Sequence, residues 1–191
     1  MWSKDKKQLE ERLAPSLEKK IVYVMEAGHK TTWGATYKVE IRYMGKPVIR
    51  FGEGMDYMVS HYEVIERNKL TEIKWTKEET HQLFLEAQLQ LWSEGTYTTS
   101  MFFIGMKEYL SLSISDALKH KQWMIRLFAI LDKRCGKRTL VKLAEEINTY
   151  PEALREIYLI RLTNENIPYG KNENGEIYIR SGAEYINPER R

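Results

Sequence analysis

The chain has 191 residues, of which 42% are hydrophobic and 12% aromatic, a composition that excludes a disordered polypeptide and allows a substantial core. Its 30 basic and 27 acidic residues give a net charge of only +3, so the total charge selects neither nucleic acid nor membrane as a partner. The single cysteine, Cys135, excludes an internal disulfide. No apolar run reaches the roughly 20 residues of a membrane span, and the N-terminus lacks the apolar stretch of a signal peptide. We therefore expect a soluble, cytoplasmic protein.

The first 52 residues predict a helix followed by a small sheet. Residues 2–13 have helical apolar spacing, and Pro15 ends that segment. The β-rich run 20–25, the strictly alternating segment 35–43 and the run 48–51 predict a three-stranded antiparallel meander.

From Met55 the apolar spacing becomes helical. Thr76 and Glu79 have the spacing of a capping box, which predicts a helix that runs to Glu94 and ends at Gly95. Further helices are predicted over 101–110, 114–120, 122–134, 140–147 and 152–166.

The tail after Pro168 is polar, with one β-like run at 176–180 that is predicted to pair with 167–169 through a turn at Asn174-Gly175. We therefore predict an α+β fold in one domain, residues 1–191. In it, the N-terminal helix and three-stranded antiparallel sheet (1–52) pack against a larger C-terminal helical part (53–167), followed by the polar tail (168–191).

Metal and cofactor motifs are missing from the sequence. The four histidines, His29, His61, His81 and His120, form no HExxH motif and no His/Cys pair at ligand spacing. Glu78-x-x-His81 has carboxylate–histidine spacing, but a di-metal bundle needs a second such motif. Nor is there a Walker loop, a GxGxxG or a GxSxG. We predict neither a metal nor a cofactor.

Cys135 lies among cations, which would favour its thiolate form. Because no His/Asn partner is identifiable, we interpret it as a small semi-buried residue and not as a nucleophile.

Residues 139–155 mimic the spacing of a helix-turn-helix. The second helix, however, carries apolar groups around most of its circumference, and Glu152 in its first turn would repel phosphates. The pattern favours a buried core helix and argues against sequence-specific DNA binding.

The most informative segment is a cluster of four cations around Gly136, which we call the basic cluster: Lys133, Arg134, Lys137 and Arg138. If Gly136 ends the preceding helix, the first two cations complement the negative pole of that helix. The second two would flank the start of the next helix, where an anion is attracted. The alternative is internal pairing with the acidic region 53–94, through Glu63, Glu66, Glu78 or Glu79.

Four dispersed motifs carry a resemblance: Trp2-Ser3-Lys4, Leu13-Ala14-Pro15-Ser16-Leu17, Leu112-Ser113-Ile114-x-x-Ala117-Leu118 and Leu131-Asp132-Lys133-Arg134-x-Gly136-Lys137-Arg138. In these the chain resembles a family of small uncharacterised bacterial cytosolic proteins. The resemblance implies a bacterial origin and a single domain, and no activity.

We therefore predict a non-enzymatic binding module that contacts an acidic partner or a phosphorylated ligand through the basic cluster. The alternative is a small-molecule enzyme with a pocket between sheet and helices, using His61 or His81 beside a carboxylate. A third possibility is a self-associating structural protein. The sequence leaves the choice between enzyme and binding module open, together with the oligomeric state.

Overall fold

The computed structural model of the chain describes residues 2–31, 34–52, 76, 79 and 97–180. The chain divides into two compact units. The helical unit comprises Met1–Glu18 and Leu112–Arg191, and the sheet unit comprises Lys19–Ser111. The fold is α+β, as predicted, while the extent of a single domain over residues 1–191 stays a prediction.

The sheet unit contains β1 (Ile21–Thr31), β2 (Gly34–Tyr43), β3 (Lys46–Gly52), β4 (Tyr97–Thr98) and the helix α2 (Thr99–Ser111). The predicted three-stranded antiparallel sheet is incomplete. The first three strands do pair antiparallel in order, but β4 adds to β3 in parallel, which makes a four-stranded mixed sheet. Two residues of β4 are too few to show a strand period in the sequence.

The alternation in β2 sorts its side chains as predicted. Val39 and Ile41 are fully buried, while Glu40 and Arg42 form an ion pair at 2.6 Å on the opposite face. The core of this unit includes Phe102 of α2, whose ring centroid lies 5.1 Å from that of Phe51. The hairpin from β2 to β3 turns at two residues of positive φ, Met44 and Gly45, which suit the twist of the strands.

The capping box is confirmed. The Glu79 backbone N–H donates to Thr76 Oγ1 at 3.2 Å, and the Thr76 N–H donates to Glu79 Oε2 at 2.7 Å. The backbone hydrogen bond from Thr76 lowers the pKa of the Glu79 carboxyl. The remainder of that helix, the helical pattern from Met55 and the chain end beyond Arg180 lie outside the described residues.

The helical unit contains α1 (Trp2–Arg12), a 3₁₀ turn (Pro15–Leu17), α3 (Ile114–Lys119), α4 (Trp123–Leu131), α5 (Lys137–Leu143), a second 3₁₀ turn (Ile147–Thr149) and α6 (Glu152–Asn164). Seven of the nine residues of α4 are buried, so this helix lies at the centre of the unit. It packs against α3 and α6. The prediction that α6 is a core helix is confirmed, because Leu154, Ile157 and Leu162 are buried along it.

The predicted C-terminal hairpin is present, with its first strand two residues later than expected. β5 (Tyr169–Lys171) pairs antiparallel with β6 (Ile177–Ile179), and Gly175 has the positive φ that the turn needs. Asn148 holds this hairpin. Its side-chain amide donates to the Ile177 carbonyl at 3.0 Å, and its Oδ1 accepts from the Ile177 N–H at 2.8 Å.

None of the helices in the described ranges is both long enough and apolar enough to cross a bilayer.

We predict that Asn148→Ala lowers the free energy of unfolding by about 1 to 3 kcal/mol, because it leaves both backbone groups of Ile177 without a partner. The measurement is urea unfolding followed by circular dichroism. Gln122→Ala is the matched control, since it also removes an amide, but one that is exposed and makes no capping bond. Equal midpoints for the two variants would contradict the role of Asn148.

Candidate anion-binding site

The segment after α4 is extended because it pairs with the chain just after α1. Asp132 and Leu13 form an isolated antiparallel bridge. The Ala14 N–H donates to the Leu131 carbonyl at 2.9 Å, and the Lys133 N–H donates to the Arg12 carbonyl at 2.8 Å. The prediction that the helix runs to Arg134 is therefore wrong, because these bonds end α4 at Leu131.

The Asp132 carboxylate organises the turn that carries the basic cluster. Its side chain has no exposed surface. Its Oδ1 accepts from the Arg134 backbone N–H at 2.7 Å, and its two oxygens accept from the Arg134 guanidinium at 2.6 to 3.1 Å. Arg134 therefore neutralises Asp132. The prediction that Arg134 complements the negative pole of α4 is wrong.

Gly136 directly precedes α5 and does not end α4. It is the N-cap residue of α5, with an ordinary φ of −77°, so the prediction of a C-terminal helix stop is wrong. Lys137 and Arg138 are accordingly the first two residues of α5, as the sequence suggested for this pair.

The four cations of the basic cluster have different partners. The Lys133 Nζ donates to the Glu11 backbone carbonyl at 2.9 Å. This partner is neutral, so the contact does not neutralise the lysine charge. The Lys137 Nζ lies 3.9 Å from Glu165 Oε2, at the limit of an ion pair. Arg138 is exposed, and it makes no ion pair with any residue that the structure describes.

A buried arginine, Arg161, donates a hydrogen bond to the backbone of the turn. Arg161 of α6 is only 3% exposed, and its Nη2 donates to the Cys135 carbonyl at 3.0 Å. Its Nη1 lies 3.2 Å from Glu165 Oε1 and 3.3 Å from Ser16 Oγ, and Ser16 itself donates to Glu165 at 2.6 Å. Burial lowers the pKa of the Arg161 guanidinium, and the carboxylate of Glu165 opposes that shift.

These supporting residues are missing from the sequence-based prediction. Ser16 and Glu165 are separated by 149 positions in the chain, so no local pattern connects them. The i,i+4 spacing of Arg161, in the last turn of α6, and Glu165, the C-cap residue of that helix, was the available signal.

Cys135 is a buried structural thiol. It has no exposed surface, and desolvation raises its pKa to about 11, although Arg161 opposes that shift. The surrounding cations of the basic cluster thus do not produce a thiolate at neutral pH. The sequence predicted a small semi-buried residue, and the structure shows Cys135 to be fully buried.

Among the residues that the structure describes, the charges at this turn do not cancel. Three cations, Arg134, Lys137 and Arg161, contact two carboxylates, Asp132 and Glu165, and Lys133 and Arg138 contact none. The five cations therefore exceed these two carboxylates by three charges. Of the acids expected to pair internally, Glu63, Glu66 and Glu78 lie outside the described residues, and Glu79 bonds to Thr76.

Within the described ranges, no group of three His, Cys, Asp or Glu side chains could hold a metal ion. His120 uses its Nδ1 to accept from the Gln122 N–H at 3.1 Å, while His61 and His81 lie outside those ranges.

The model of one protein family, described as the SF0329 protein family, matches residues 1–162. That match covers most of the chain, including the entire basic cluster, and ends within α6. Searches among curated proteins and among solved structures give no significant match.

We predict that Arg161→Met lowers the free energy of unfolding by about 3 to 5 kcal/mol, because it leaves the Glu165 carboxylate without its closest cation and the Cys135 carbonyl without its donor. Chemical denaturation would measure the change. Arg138→Met, the same substitution at an exposed arginine, is the control, with an expected change within about 0.5 kcal/mol. Similar losses for the two variants would show that the buried network contributes nothing specific.

Proposed function

The chain belongs to the SF0329 protein family, and we propose that it is a non-enzymatic binding protein that holds an acidic partner or a phosphorylated ligand on its basic cluster. The family description names no reaction and no ligand, so the argument rests on the site. The observation that carries it is the surplus of three positive charges at one turn, with Arg138 exposed and without an ion pair among the described residues.

The rigidity of the turn supports this proposal. The backbone from Asp132 to Gly136 is held by the bridge to Leu13, by the Asp132 carboxylate and by Arg161. A site whose backbone is fixed before binding loses little conformational entropy when the ligand arrives.

The location of Lys137 and Arg138 also fits. Cations in the first turn of a helix oppose its positive pole, by roughly 0.3 to 1 kcal/mol each at an exposed position and low ionic strength. The short α5 thus gains no stability from them. A bound anion would offset that repulsion, because it attracts the two cations.

The alternative, a small-molecule enzyme with a pocket between sheet and helices, stays a prediction, because His61 and His81 lie outside the described residues. Bacterial origin and a cytoplasmic location also stay predictions. The basic cluster, in contrast, lies within the described residues, so the binding module is the hypothesis to test first.

We predict that the purified chain binds a fluorescent poly-aspartate peptide and is thermally stabilised by pyrophosphate, and that both effects weaken as salt is raised. The double substitution Lys137→Ala/Arg138→Ala should weaken peptide binding about tenfold or more and reduce its salt dependence, because two of the surplus charges are removed. Fluorescence anisotropy at two salt concentrations is the measurement.

The matched control is Lys171→Ala/Arg180→Ala, which removes one exposed lysine and one exposed arginine near the C-terminal hairpin. It changes net charge by the same amount and should leave affinity within about twofold. If the two double variants lose affinity equally, binding follows the total charge of the protein, and the assignment to the basic cluster is wrong.

A further inference from the structure

A cleft of about 340 Å³ opens beside the basic cluster, between α3 and α5. Three aliphatic side chains, Ile114 and Leu118 of α3 and Leu143 of α5, line it. Pockets for small molecules have volumes of roughly 300 to 1,000 Å³, so this cleft lies at the small end of that range. Its apolar lining distinguishes it from a surface that only attracts ions.

Cations surround this apolar lining. Lys119, Lys142 and Arg134 all contribute to the wall of the cleft. Arg134 is bound by Asp132, whereas Lys119 and Lys142 form no ion pair with a residue of the described ranges. As far as the described residues are concerned, two ammonium groups are therefore available at the cleft.

The carboxylate at the edge of the cleft, Glu146, already has partners. Its Oε2 lies 3.2 Å from Arg126 Nη1 and accepts from the Tyr150 hydroxyl at 3.3 Å. Arg126 is fixed in turn by the His120 carbonyl at 2.7 Å and lies over the Tyr150 ring, 4.6 Å from its centroid. Arg126 lies within ion-pair distance of Glu146 and offsets its charge, so among the described residues Lys119 and Lys142 leave the cleft with a net positive charge.

We propose that this cleft binds a small amphipathic carboxylate, with the apolar body on Ile114, Leu118 and Leu143 and the carboxylate head near Lys119 and Lys142. An inorganic anion would leave the apolar lining in contact with water, and a neutral apolar molecule would gain nothing from the two ammonium groups. The hydroxyls of Ser115 and Thr139, which also line the cleft, provide neutral donors for such a head group.

The volume sets the size of the ligand. At about 30 Å³ for a water-sized group, the cleft holds on the order of ten non-hydrogen atoms. A carboxylic acid with about eight carbons fits that limit, whereas a nucleotide is too large to be enclosed. The proposal goes beyond the function assigned to the basic cluster, because only Arg134 of that cluster lines the cleft, and it is bound by Asp132.

The test uses octanoate as the probe and the full chain as the protein. Isothermal titration calorimetry should give saturable binding of octanoate, while octan-1-ol, which has the same tail without the charge, and acetate, which has the charge without the tail, should each bind at least tenfold more weakly. Octan-1-ol binding as tightly as octanoate would overturn the role of the cations, and acetate binding as tightly would overturn the role of the apolar lining. Two-dimensional ¹H–¹⁵N NMR of the unmodified protein should show octanoate-dependent shifts at Leu118 and Lys142, and shifts confined to other residues would also overturn the proposal.

Substitutions separate this site from the basic cluster. Lys142→Ala and Leu118→Ser should each weaken octanoate binding about fivefold or more, whereas Lys121→Ala, an exposed lysine outside the cleft, should not. Since Leu118 is half-buried, thermal unfolding of Leu118→Ser checks that this variant still folds. If Leu118→Ser is unfolded, Lys142→Ala alone decides the test. Lys137→Ala/Arg138→Ala should leave octanoate affinity unchanged even where it abolishes poly-aspartate binding, so each proposal can fail without the other.

Discussion

The Asp132 carboxylate, closed off from water, is the constraint on which the basic cluster depends. A buried carboxylate is unfavourable unless its oxygens are bonded, and here they accept from the Arg134 backbone and guanidinium. Those bonds bend the chain back over Asp132. Because the same residue also bridges to Leu13, the turn between α4 and α5 is tied to the segment after α1. The positions of the cations are thereby set by backbone hydrogen bonds and not by their own flexible side chains.

Arg161 provides the second constraint on that turn. Its guanidinium reaches three separate segments, through the Cys135 carbonyl, Ser16 and Glu165. Buried ion pairs add little net stability compared with apolar residues of the same volume, since desolvation opposes the Coulomb attraction. The network instead fixes the positions of α6, the first 3₁₀ turn and the basic cluster relative to one another. Within the described part of the chain, Arg161 Nε has no hydrogen-bond partner, and an unpaired buried donor is unfavourable.

The sequence predicted local features well and long-range ones poorly. The Thr76–Glu79 capping box and the Asn174-Gly175 turn depend on residues a few positions apart, and both are present. The end of α4 was missed because two cations before a glycine are typical of a helix C-terminus, and the competing bonds come from Arg12 and Ala14, far away in the chain. The short β4 was missed because its pairing with β3 is non-local.

The candidate site also combines features that the sequence predicts with features that depend on long-range contacts. Its four cations are visible as a cluster of charges in the sequence, but their partners are not, since Asp132 is indistinguishable from a solvated acid until its burial is known. The cleft beside them needs α3 and α5 side by side. The apolar spacing of Ile114 and Leu118 predicts a helix face, and only the tertiary packing with α5 makes that face one wall of a cavity.

The lone thiol has a practical consequence. Cys135 has no exposed surface, a pKa raised to about 11, and a carbonyl bound by Arg161, so in the folded state it is shielded from alkylating reagents. Because the chain contains no other cysteine, any labelling reports the opening of this one turn. The rate of labelling thus measures local breathing of the candidate site in the unmodified protein, separately from global unfolding, and a ligand that binds there would be expected to slow it.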